Sequence, residues 1–222
     1  MDVADEQDLL FREIDEDLKQ ERLVRLWTSY GKYLIAGALA IVIGVAGTMG
    51  WQKYDLGQRQ AQGDQFADAI KLIDEDKQND AINALKSLAS RGDIGFGMLA
   101  RFRAAALNVE NNNSDAAIKI YTELSTDTAL EKIYRELAIV LGALLEIDAQ
   151  KSKTKLIERA NELAQSFGPW RHNAQEVQAL VALRSNKIKT AISIFKDLAK
   201  ASNAPPGVKA RANEMLIITE NN

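Results

Sequence analysis

The sequence predicts an all-α protein in which a single N-terminal transmembrane helix precedes an α-solenoid of helical hairpins. Three observations carry this prediction. One stretch is uncharged over the length of a membrane span, the rest of the chain has apolar residues at three- and four-residue spacing, and one helical pattern recurs at an interval in the mid-thirties.

Residues 33–52 (YLIAGALAIVIGVAGTMGWQ) carry no charge and lie between Lys32 and Lys53. Twenty helical residues reach about 30 Å, the thickness of a bilayer's hydrocarbon core. A cleaved signal peptide would start with a short basic stretch. Here the preceding residues are rich in acid instead (Asp2, Asp5, Glu6, Asp8, Glu13, Asp15, Glu16, Asp17 and Glu21), which predicts an uncleaved anchor. A buried helix of a soluble core is the competing reading. Against it stand aromatic residues at both ends, Trp27, Tyr30 and Tyr33 before and Trp51 and Tyr54 after, placed as interfacial anchors in the two headgroup zones.

The flanking charges set an orientation. Lys19, Arg22, Arg25 and Lys32 precede the span, against Lys53 and Arg59 after it, and positive charge is retained in the cytoplasm. The expected organisation is a cytoplasmic acidic tail (1–32), a transmembrane helix (33–52) and a domain on the far side (53–222), which in a bacterium is the periplasm. Within the span Ala36, Ala40, Gly44 and Thr48 recur every four residues, with Gly37, Gly47 and Gly50 nearby. Small residues let membrane helices approach closely, so this is a candidate packing face for a membrane partner or a second copy. Gly is also common in membrane helices at large, which is the blander explanation. In the tail, Leu10, Ile14 and Leu18 form a narrow apolar face among acids. A lipid-surface helix is normally basic, so a solvated helix or a protein contact is expected there instead.

Composition excludes much. The chain has no cysteine, hence no disulfide, thiolate metal site or cysteine nucleophile. Its single histidine, His172, cannot build a multi-histidine zinc site, and its setting in GPWRHN predicts a surface or capping role. No phosphate-loop, dinucleotide-binding, serine-hydrolase or zinc-protease motif is present. The glycines of RGDIGFG lack the Lys–Ser/Thr ending of a phosphate loop and fit a helix-start loop. Asp74, Glu75 and Asp76 beside Lys71 and Lys77 fit a solvated turn rather than a carboxylate pair. A net charge of −3 without a basic, aromatic-interleaved cluster argues against nucleic acid. A non-enzymatic protein without a cofactor is expected.

Beyond the span, amphipathic spacing predicts helices at about 55–77, 80–90, 95–109, 114–125, 128–147, 152–167, 170–185, 187–201 and 205–219. The breaks fall at turn residues such as Asn111-Asn112-Asn113 and Gly168-Pro169. Asp80 and Ser114 are expected as helix caps. Alternate helices share a pattern: Ala81-Ile82…Leu85…Leu88, Ala117-Ile118…Tyr121…Leu124 and Ala191-Ile192…Phe195…Leu198, with Leu156-Ile157…Ala160…Leu163 a fainter copy. Ala81 to Ala117 is 36 residues and Ala117 to Ala191 is 74, about twice that. This is the period of helix–turn–helix repeats that stack side by side and bind proteins or peptides, and Tyr121 and Phe195 are expected in the interior.

Segments 114–125 and 186–206 resemble the second half of a tetratricopeptide repeat, while the first helices of the pairs fit less well. The order of charged tail, Leu26-Trp27, a Gly/Ala-rich span, the Gly50-Trp51 exit and degenerate repeats resembles the YfgM-like family. Residues 21–52 and 168–199 carry that resemblance most. It implies an inner-membrane protein, ancillary to the Sec translocon, that binds a periplasmic chaperone and helps handle exported chains, with no cofactor and no enzymatic activity. An envelope-assembly or cell-division scaffold is the alternative.

Overall fold

The structure is a computed structural model that describes residues 3–149 and 154–220. Two compact units are distinguished, residues 1–59 and 60–222. Among the described residues every regular element is helical.

The first unit consists of the greater part of α1 (Val3–Asp74). Its apolar stretch is the one helix among the described residues long and apolar enough to cross a membrane, and none of that stretch is buried inside the protein. The expected helix start at 55 is absent, because α1 runs unbroken to Asp74. No proline falls between Trp51 and Asp74, and isolated helix glycines such as Gly57 and Gly63 weaken a helix without ending it. The side chains of Leu10, Ile14 and Leu18 lie outside the described residues.

The second unit begins with the last turns of α1. It continues through α2 (Gln78–Arg91), α3 (Ile94–Glu110), α4 (Ser114–Thr126), α5 (Lys132–Asp148), α6 (Lys155–Ala164), α7 (Arg171–Arg184), α8 (Ile188–Lys200) and α9 (Pro206–Glu220). Successive helices pack against one another, and α7 also meets α5 and α9. The all-α solenoid expected from the repeat period is therefore the observed architecture.

Three hairpins turn by one device. Asp76, Asn112 and Asn186 sit at positive φ (59°, 57° and 58°), a conformation that Asn and Asp tolerate better than most residues. The next residue of each turn reaches back to the helix just ended. Lys77 donates to the Leu72 carbonyl, Asn113 to that of Asn108 and Lys187 to that of Ala182, each at 2.8 Å. These six-residue closures satisfy carbonyls that a helix end leaves open. Each Asp or Asn stands five residues before the alanine that opens the shared pattern, Ala81, Ala117 or Ala191.

Local chemistry sets the remaining ends. Gly92 closes α2 by donating to the Leu88 carbonyl at 2.7 Å, and a Cβ there would lie 2.7 Å from that same oxygen. Asp93 then caps α3, its Oδ1 accepting from the Phe96 amide at 2.8 Å, so RGDIGFG is a helix-start loop. The cap of α4 is Asn113 rather than Ser114, and Asp80 lies inside the first turn of α2 rather than capping it. Helix α5 starts at Lys132 instead of 128. Asp127 accepts the Ala129 amide at 3.0 Å and folds residues 127–130 into a turn that buries Leu130. Helix α6 ends at Ala164 instead of 167, and the following loop is held by Trp170, whose indole donates to the Ile133 carbonyl at 2.9 Å. His172 is not a surface residue: it is buried in the first turn of α7.

The core runs along the stack in three clusters. Ile120 packs against both the first and the second, and Leu180 against both the second and the third. The shared pattern supplies much of it, since Leu85, Leu124, Leu156, Phe195 and Leu198 are among the largest fully buried side chains. Tyr121 is interior as well, and burial pushes its hydroxyl pKa up. The last helix is also held by charge: Arg211 on α9 makes a bidentate pair with the buried Glu176 of α7, both bonds at 2.6 Å.

Phe195→Ala should destabilise the second unit by about 3–5 kcal/mol, the range for emptying a large aromatic site. Urea unfolding followed by far-UV circular dichroism measures it. At Gly142 an added Cβ would meet Leu156 Cδ1 at 2.5 Å and Tyr121 Cβ at 3.0 Å. Gly142→Val should therefore destabilise by about 1–3 kcal/mol in the same experiment, despite removing a helix glycine.

Candidate interaction surfaces

Two regions offer surface that the fold does not consume. The first is the apolar part of α1. Ala36, Ala40, Gly44 and Thr48 are all exposed, and an added Cβ at Gly37, Gly44, Gly47 or Gly50 would meet nothing within 4 Å. Four residues advance a helix by about 40° beyond a full turn, so the stripe winds over about 120° from Ala36 to Thr48. The Thr48 hydroxyl donates to the Val45 carbonyl at 2.9 Å, which satisfies it within its own helix. Trp27, Tyr30, Tyr33, Trp51 and Tyr54 are likewise exposed. Tyr33 and Trp51 stand about 27 Å apart along the axis, close to the thickness of a hydrocarbon core. Lys32 Nζ lies 5.1 Å from the Tyr33 ring centre, and Trp51 and Tyr54 are tilted against each other at 6.3 Å.

The second region is a groove in the solenoid. Helices α2 and α4 form its walls and α3 its floor, enclosing about 480 Å³. The floor carries Ala104 and Asn108, nine-tenths or more buried. Asn108 Nδ2 donates to the Ala104 carbonyl at 2.7 Å. Lys86 stands on one wall and Lys119 on the other, both exposed. At the turn end the groove meets a polar hollow of about 610 Å³ that shares Asn108 and Asn113 and adds Gln78, Asn79 and Asn111. Sequence reasoning passed over these residues, because polar side chains near turns give no periodic signal.

Two further charged residues, Arg101 and Glu123, line the groove, and Arg101 is tied down. It pairs with Asp127 at 2.8 Å across the α4–α5 turn. That hydrogen bond, the bond from the Ala129 amide and the nearby Arg135 hold the Asp127 carboxyl below its ordinary pKa, outweighing its desolvation. Arg159 on α6 anchors the end of α4 by donating to Ser125 Oγ at 2.7 Å and to the Ser125 carbonyl at 2.8 Å. The solvated turn at Glu75 is paired too, with Lys77 at 2.8 Å. A smaller hollow of about 370 Å³ between α5 and α6 mixes Lys132, Arg135 and Arg159 with Glu136 and Glu162, and so has no dominant charge. Among the described residues no group of three His, Asp or Glu side chains could hold a metal ion.

Stacked helical hairpins with surface grooves define a protein-interaction module of the helical-repeat class. The chain belongs to the tetratricopeptide repeat-like domain family, whose match covers residues 25–197 and so takes in the apolar segment of α1 as well as the hairpins through most of α8. No curated protein and no solved structure matches it.

The Asp127 pair makes a signed pH prediction. Its stabilisation is complete above the unfolded aspartate pKa of about 3.9 and is lost as the pH falls through the lower folded value. Asp127→Asn should therefore lower the melting temperature at pH 7, and the gap to the parent protein should close towards pH 2. Thermal melts across that range provide the check.

Proposed function

We propose that the chain is a membrane-anchored, non-enzymatic interaction module of the bacterial inner membrane. Residues 1–32 form a cytoplasmic tail, 33–52 cross the bilayer and 53–222 work in the periplasm. The observation that carries this reading is the union, within one family match, of an exposed apolar helix and stacked repeats. The flanking charges support the orientation, and the YfgM-like layout supports the Sec translocon as membrane partner with a periplasmic chaperone or exported clients at the solenoid. In this reading Trp27, Tyr30, Tyr33, Trp51 and Tyr54 anchor the span in the headgroup zones. Ala36, Ala40, Gly44 and Thr48 pack on the membrane partner or on a second copy.

Extraction in mild detergent followed by mass spectrometry of co-purifying proteins should recover translocon subunits and a periplasmic chaperone. Recovery of cell-wall or division proteins in their place would assign the chain to an envelope scaffold. Replacing Ala40 and Gly44 by leucine should reduce recovery of the membrane partner severalfold while leaving the chaperone; undiminished recovery would rule out that packing face. Deleting residues 2–18 should leave recovery of both unchanged.

A further inference from the structure

The connections of the second unit fall on two edges of opposite character. The turns at 75–77, 111–113 and 185–187 are polar throughout. The α2–α3 turn, the α4–α5 turn and the α6–α7 loop form the other edge. It lies where α1 enters the unit, since the Asp93 amide donates to Gln62 Oε1 of α1 at 2.7 Å. Arg101 ties the α4–α5 turn to α3 at 2.8 Å, and Trp170 ties the α6–α7 loop to the start of α5 at 2.9 Å. Each of these connections puts an apolar side chain into solvent. Ile94, opening α3, is 63% exposed, Ile133 in the first turn of α5 is 42% exposed, and Phe167 in the α6–α7 loop is 99% exposed. Phe167 is held there by its neighbours. Ser166 Oγ donates to the Leu163 carbonyl at 2.8 Å on one side, Trp170 grips Ile133 on the other, and the Arg171 guanidinium lies 5.8 Å from the ring centre.

We infer that this edge is a lipid-contacting surface, with Phe167 dipping into the headgroup zone of the bilayer and Ile94 and Ile133 joining it from the same edge. The inference rests on the membrane-anchored reading and adds a second contact with lipid, made by the solenoid itself. Three observations select lipid as the occupant. Residues 165–170 are uncharged, and an exposed phenylalanine beside an exposed proline and a half-buried tryptophan has the composition of an interfacial belt. Nine residues, 53–61, lie between the span and Gln62, so the anchor keeps lipid at high effective concentration for this edge. Helical-repeat modules take protein partners on their concave helical faces, whereas these side chains stand at the connections. Charge is not the attraction. Arg91, Lys132 and Arg171 share the edge with Asp93 and Glu131, so burial of apolar surface supplies the binding.

Because the chain has no cysteine, one introduced thiol carries one fluorophore. The test uses the full chain in phosphatidylcholine nanodiscs in which some lipids bear a nitroxide on the headgroup, a short-range quencher. Labels go at Gln165→Cys beside Phe167, at Asn79→Cys near the polar edge and at Gln52→Cys at the end of the span; both solenoid positions are exposed. Quenching at 165 should exceed that at 79 severalfold. Phe167→Asp should roughly halve the excess, and Ile94→Asp with Phe167→Asp should remove it. Molar salt should leave it intact, since charge is screened and apolar burial is not. These substitutions lie on the surface, so the fold is retained, and circular dichroism verifies it. Equal quenching at 165 and 79, an excess that survives the double variant, or an excess that salt abolishes would overturn the proposal. Loss of a co-purifying protein in Phe167→Asp with quenching unchanged would give the edge to a protein partner instead. Quenching at 52 separates the two readings. If 52 is quenched and 165 is not, the lipid edge fails and the anchor stands; if 52 is not quenched, both fall.

Discussion

Close helix approach at buried alanines is the contact on which the rest of the second unit depends. The first helix of each pair contributes Ala69, Ala105, Ala143 or Ala179, and three of the second helices contribute Ala81, Ala117 or Ala191; none of these has any exposed surface. A side chain of one carbon lets neighbouring backbones come near, and larger residues one turn away then interlock across the gap. Where even alanine is too large, at Gly142, the chain uses no side chain and Leu156 and Tyr121 close over the space. Because each hairpin buries only one side against its neighbours, stability spreads along the stack and does not reside in one centre.

The same constraint makes the surface features. A helix that carries alanine where it faces outward between two others leaves a trough, and α3 does this at Ala104 between α2 and α4. The neighbouring interval, between α5 and α6, is crossed by cations and acids in near balance. The α2–α4 groove is lined by Lys86, Arg101 and Lys119 against Glu123, and the α5–α6 hollow by three cations against two acids, although both arise from the same repeat. Ion pairs tie elements that are not neighbours in the chain: Arg101 on α3 with Asp127 in the α4–α5 turn, and Arg211 on α9 with Glu176 on α7.

Much of the fold was legible because burial repeats in sequence. Ala117-Ile118…Tyr121…Leu124 announces its inward face by spacing alone, and all four residues are buried. What spacing cannot reveal is a contact between distant positions. His172 reads as a surface or capping residue until Trp170, bonded to Ile133, holds the preceding loop and α7 starts one residue ahead of it, with the imidazole buried. The start of α5 was hidden for a similar reason: Thr128 to Glu131 suit a helix, but Asp127 spends its carboxylate on the Ala129 amide and on Arg101. Of the interaction surfaces, the apolar stretch of α1 was plain from composition, whereas the groove was not. Lys86 and Lys119 are ordinary exposed lysines in sequence and acquire a common meaning only when α3 brings their helices to either side of one floor.

By itself the sequence determined that the protein is helical, that one helix can cross a membrane, and which residues of each hairpin turn inward. These are local properties, set by hydrophobic spacing and by turn residues that tolerate positive φ. The tertiary structure alone decided that α5 starts late, at Lys132, which polar groups are buried, and that a groove opens between α2 and α4. Those outcomes depend on side chains far apart in the chain meeting at close range, and no local pattern encodes that distance.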